Sequence, residues 1–141
     1  MAHNKYLPIM FKVAASDLGS AGSTLDYTEL KPALDVADGL SRVINNKKLY
    51  FRLLESFSGR KMADDINAAI ESGDHSQVRN AAHALKGVSA NLGMPELVNI
   101  SLQIEMRAKE EAAAGYLLPA LDQAVEAATV AIERLLASEE S

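Results

Sequence analysis

From about residue 27 almost to the C-terminus, apolar residues return at steps of three and four, with glycines breaking the pattern at Gly73, Gly93 and Gly115. A 3.6-residue period places such residues on one face of a helix. The chain therefore reads as successive amphipathic helices, with little room for strands. One stripe runs through Tyr50, Leu53, Leu54, Phe57, Met62, Ile66, Ala69 and Ile70, and a second through Val78, Ala82, Leu85, Ser89 and Leu92. A third is Leu97, Ile100, Ser101, Ile104 and Ala108, and a fourth Leu118, Leu121, Val125, Ala128, Ile132 and Leu135. The apolar 48% of the chain is dominated by Ala and Leu, and aromatics make up only 5%. That balance favours helix over sheet.

Start and stop signals divide the stripes. A short first helix is predicted over residues 28–44, with Pro32 and Gly39 as candidate interruptions. Asn45-Asn46 offers a cap for a second helix, which Gly59 is placed to kink. Gly73 supplies a left-handed stop, and Asp74 or Ser76 caps a third helix over about residues 76–91. Pro95 suits the first turn of a fourth helix, and Pro119 that of a fifth over about residues 116–137. Short connections between long helices force antiparallel neighbours. The predicted fold is all-α, an antiparallel four-helix bundle with a short additional N-terminal helix, spanning residues 26–141. Residues 1–25, which end in a Gly/Ser-rich run, are assigned to a flexible linker or extension whose short apolar segment docks on the body.

Charge and composition exclude several function classes. A net charge of −5 argues against nucleic acid as partner. The charge is uneven: residues 75–109 carry Arg79, Lys86, Arg107 and Lys109 against Glu96 and Glu105. This stretch is locally basic and suits an acidic partner surface, although ordinary scatter of surface charge explains the counts equally well. The absence of cysteine excludes disulfides and thiolate chemistry. No apolar run reaches the roughly 20 residues of a membrane span, so a cytoplasmic location is expected. The chain is also expected to be a monomer. Neither His75 nor His83 has a glutamate three residues before it, which removes the helical-bundle metal motif. There is no phosphate-binding glycine loop, and no metal or cofactor site of the chain's own is expected.

His83 stands apart from the apolar stripe of its helix. At roughly 100° per residue it shares a face with Arg79, Lys86, Gly87 and Ala90. A histidine beside a lysine on a helix is in most cases solvated surface, but this face has a chemical logic. Neutral imidazole is a nucleophile, and with a reference pKa of ~6.5 a useful fraction is neutral near pH 7. A phosphoryl group in transfer carries anionic oxygens that Lys86 would stabilise. Gly87 would leave clearance for that group and for an incoming protein loop. Glycine inside a helix costs about 1 kcal/mol relative to alanine, which makes such clearance a reasonable return. Glu105 and Lys109 either line the other side of the histidine or form an i, i+4 surface ion pair.

The string His83-Ala84-Leu85-Lys86-Gly87, with Arg79-Asn80-Ala81-Ala82 before it and Ala90-Asn91-Leu92-Gly93 after it, resembles the histidine phosphotransfer domains of multistep phosphorelays. Residues 49–57, 69–74 and 102–105 are similar to flanking parts of that family, and the resemblance spans about residues 35–136. It implies a four-helix bundle with His83 as phosphoacceptor, Lys86 as phosphoryl-stabilising cation and Gly87 as clearance residue. Response-regulator receiver domains would donate and accept the phosphoryl group, and the Mg²⁺ would sit in the receiver. Arg79, Val88, Ala90, Met94, Leu40 and Ile44 are the candidate receiver-binding rim. The chain would be either a free-standing shuttle or a module of a hybrid sensor histidine kinase. A receiver-docking scaffold that has kept only the fold is the alternative, and whether such a carrier is called a phosphotransferase is a matter of convention.

Overall fold

A computed structural model describes residues 25–140. The predicted linker therefore lies almost wholly outside the described residues. A 3-10 turn, Tyr27–Leu30, leads into α1 (Val36–Arg42), α2 (Lys47–Glu55), α3 (Gly59–Ser72), α4 (His75–Leu92) and α5 (Pro95–Lys109). A second 3-10 turn, Gly115–Leu117, precedes α6 (Leu118–Glu140). There is no strand among the described residues. Helices α3 to α6 form the bundle, and α4 and α5 make its most extensive contact.

The caps show how sequence sets these boundaries. Asp74 accepts from the Gln77 amide at 3.1 Å to start α4, and Asn46 accepts from the Leu49 amide at 3.0 Å to start α2. Each side-chain oxygen satisfies an amide that the first helical turn leaves unpaired. Gly73 and Gly93 end α3 and α4 in the left-handed region, at φ 76° and 79°. All five residues of the α4 stripe and all five of the α5 stripe are buried. The Ser89 and Ser101 hydroxyls are buried without a hydrogen-bond partner.

One boundary follows one of the two candidate interruptions, and another differs from the sequence expectation. The helix predicted over residues 28–44 is a 3-10 turn followed by the separate α1. Pro32 lacks an amide hydrogen and disfavours helical backbone at Lys31, and Asp35 restarts the helix by accepting from Asp38 at 3.1 Å. Gly39 does not interrupt it. The second predicted helix divides into α2 and α3 rather than kinking at Gly59. The Ser56 hydroxyl donates to the Leu53 carbonyl at 2.9 Å, and the Phe57 ring lies where a Gly59 Cβ would be. The bundle thus carries two short N-terminal helices instead of one.

The N-terminal segment is tied to the turn between α4 and α5. The Asp35 amide donates to Gly93 O at 2.6 Å, and the buried Tyr50 hydroxyl donates to Leu92 O at 2.8 Å. These carbonyls end α4 and have no partner within it. Gly39 leaves room for the Tyr50 ring, which a Cβ at that position would overlap. No helix among the described residues is long and apolar enough to cross a membrane.

Candidate functional site

His83 projects from the middle of α4 with 68% of its side chain exposed. Its Nδ1 lies 2.9 Å from Oε2 of Glu105 on α5. The other carboxylate oxygen, Oε1, is 2.7 Å from Lys86 Nζ, a contact of charge rather than of well-directed hydrogen bonding. Glu105 is buried, at 4% exposure. Burial alone would raise its carboxyl, but the contacts with Lys86 and His83 outweigh that and hold it below the usual carboxylate range.

The open question about Glu105 resolves in favour of the histidine. It turns inward between His83 and Lys86, and it makes no ion pair with Lys109. Because a neutral imidazole carries one ring proton, a carboxylate acceptor at Nδ1 selects the tautomer with that proton on Nδ1. The lone pair then sits on Nε2. The site is an exposed nucleophilic nitrogen, oriented from below by a buried anion.

Gly87 lies one turn further along α4, and a Cβ placed there meets nothing within 4 Å. Nothing in the packing requires glycine. Gly87→Ala is therefore expected to raise stability by about 1 kcal/mol through helix propensity, read as a higher melting temperature. Gly87→Leu should keep the fold and obstruct whatever approaches His83, read as slower transfer to or from a docked protein.

The remaining rim candidates scatter. Ala90 lines a trough of about 330 Å³ with Leu102 and Val98 of α5 and with Asp38 and Arg42 of α1. Arg79 lines a separate recess with His75 and Lys109. Leu40 and Val88 are half-buried and line neither hollow, and Ile44 is 91% exposed on the turn after α1, at a positive φ of 55°. Met94 is a correction: it is fully buried and does not belong to an exposed rim. The Asp35–Gly93 tie draws the N-terminal segment across the turn in which Met94 sits, and Met94 borders the same trough as Asp35, Asp38 and Ala90.

Two apolar residues that the sequence reading passed over are exposed near the site, Leu102 at 39% and Met106 at 49%. They flank Glu105 at i−3 and i+1. Their signal was present: both fall off the buried stripe of α5, where a solvated helix face ordinarily carries polar residues.

A family model described as the Hpt domain matches residues 56–131, more than half of the 141-residue chain. The chain belongs to the Hpt family. A crystal structure of the HPT domain from an Hpt sensor hybrid histidine kinase of Shewanella is similar in fold. It covers 74% of this chain and 94% of that one, with a TM-score of 0.64 and 20% identity. No curated protein sequence matches. Membership in the Hpt family supports a histidine-phosphotransfer role in a phosphorelay, with receiver domains as partners.

Proposed function

We propose that His83 is the phosphoacceptor, taking a phosphoryl group from a receiver aspartate and passing it to another. The observation that carries this is the exposed imidazole whose Nδ1 faces the buried Glu105 carboxylate at 2.9 Å. That contact leaves the Nε2 lone pair facing solvent. Nε2 attacks the phosphorus of the aspartyl phosphate, the N–P bond forms, and the P–O bond to the receiver carboxylate breaks. The anionic oxygens in transfer gain from the nearby Lys86 ammonium. The open space over Gly87 admits the receiver. Mg²⁺ belongs to the receiver in this scheme, and the carrier works as a cytoplasmic monomer.

The docking face includes Ala90 and Arg79 from the sequence reading and gains Leu102 and Met106. Its apolar centre with a charged margin suits a protein partner. A scaffold that only docked receivers would need neither the buried carboxylate nor the oriented ring.

The deciding experiment is transfer of label from a phosphorylated receiver domain to this protein. Acid-labile, base-stable label supports the carrier role, whereas no label from any of several receivers moves the assignment to a scaffold. Lys86→Ala is expected to slow transfer by about a hundredfold with a smaller loss of receiver binding. It also leaves Glu105 without its ammonium, at a stability cost of roughly 1–3 kcal/mol, so rates are compared well below both melting temperatures. Equal losses in rate and binding would count against the role given to Lys86.

A further inference from the structure

Helix α6 carries two apolar faces. One is the core stripe of Leu121, Val125, Ala128, Ile132 and Leu135. The other is Ala120, Ala124, Ala127, Val130 and Ala131, which line a groove of about 570 Å³ together with Ile100 and Gln103 of α5. Leu30 and Pro32 of the N-terminal segment complete it. We propose that this groove binds the chain's own apolar segment at residues 6–15.

The chemistry of the two surfaces matches. Small side chains on α6 make a trough rather than a ridge, and a helix with apolar residues on two faces is ordinarily covered on both. Residues 6–15 supply Leu7, Ile9, Met10, Phe11 and Val13, large side chains that fill the space alanines leave.

The tether favours this occupant over any other. The N-terminal turn stands at the Arg134 end of the groove, where Arg134 holds Glu29 at 3.1 Å. From Arg134 to Ala120 the groove follows α6 for about 21 Å. Residues 16–24 span up to about 30 Å when extended, so the segment reaches every part of it. A short tether holds the segment at a millimolar effective concentration, which a second copy or a separate protein would have to match.

The charges agree. On the rim, Arg134 is paired with Glu29, and Lys31 with Asp35 at 3.8 Å. Glu96 of α5 is exposed and makes no ion pair among the described residues. Residues 1–16 carry Lys5 and Lys12 and no acid, and Lys12 interrupts the apolar segment where it can answer Glu96. Glu96 and Glu105 lie roughly 180° apart around α5, so a segment in the groove leaves His83 open.

The test uses the full chain. It has no cysteine of its own, so Asn4→Cys takes a single nitroxide spin label beside the segment. The amide NMR signals of Gln103, Ala120 and Ala127 are expected to broaden, while those of Lys86 and Met106 stay sharp. In the unlabelled chain, trypsin cleavage after Lys12 should run about tenfold faster once Ala127→Gln and Val130→Gln fill the groove, because cleavage follows the population of released segment. Broadening spread evenly over the bundle, or equal cleavage rates, would overturn the proposal. So would broadening that passes from labelled chains to unlabelled ones mixed with them, since the groove would then hold a second copy. Should the double variant not fold, Ile9→Asp with Phe11→Asp takes its place. Those changes leave the bundle untouched and should abolish the selective broadening; its persistence would sink the assignment.

Discussion

His83→Gln is expected to abolish phosphoryl acceptance and to leave the fold intact. Glutamine has no nitrogen lone pair able to attack phosphorus, because its amide electrons are delocalised into the carbonyl. It does carry an amide N–H of similar reach, so the Glu105 carboxylate keeps a donor. The imidazole is 68% exposed and stands outside the buried stripe of α4, so the substitution removes almost no packing. Surface changes of this kind shift stability by about 0.5 kcal/mol or less. The expected result is therefore complete loss of label with an unchanged helical circular-dichroism spectrum and melting temperature. A variant that unfolds would make His83 a structural residue, and a variant that still takes label would place the acceptor elsewhere.

The second large effect is on stability and lies at Gly93. Gly93→Ala is expected to destabilise the protein by about 3 kcal/mol. A side chain in the left-handed region, here at φ 79°, costs about 1–2 kcal/mol. The new Cβ would also overlap the Asp35 carbonyl oxygen, a backbone atom that cannot rotate aside. Overpacking of this sort adds about 1–3 kcal/mol. For a domain of this size the sum corresponds to a fall in melting temperature of about 10 °C, measured by thermal unfolding. His83 lies ten residues upstream, so acceptance of label at low temperature should survive. A melting temperature unchanged from wild type would mean that α1 does not press against this turn.

Most of the bundle was legible because its determinants are local. Helix period, the Asn46 and Asp74 caps and the Gly73 and Gly93 stops act within a few residues of chain, and each does in the structure what its chemistry implies. The break between α2 and α3 was hidden because Phe57 continues the apolar period through it. Only the Ser56 hydroxyl bond to Leu53 and the packing of the Phe57 ring over Gly59 reveal it. The break at Pro32 was among the interruptions the sequence offered, and the Asp35 cap fixes where the helix restarts.

The site divides along similar lines. His83, Lys86 and Gly87 share one helix, so their spacing alone put them on one face. Glu105 comes from another helix, and its approach depends on how α5 is registered against α4. In sequence its partner looked as much like Lys109, one turn away. Met94 was misplaced because its burial comes from a distant segment lying over it, which no local pattern records.

The ties from Asp35 and Tyr50 to the carbonyls of Gly93 and Leu92 separate two lengths of chain that are easily equated. The stretch that marks the family begins at residue 56, after both of these residues. A fragment trimmed to that stretch would contain the histidine and its whole recognisable surroundings. It would also strip two buried carbonyls of their donors and uncover Met94 at the hinge between α4 and α5. That hinge sets which residue of α5 lies opposite His83. The alignment of the carboxylate with the ring is thus guarded from outside the recognisable stretch, and the cooperative unit reaches back at least to Asp35, whose amide holds the Gly93 carbonyl.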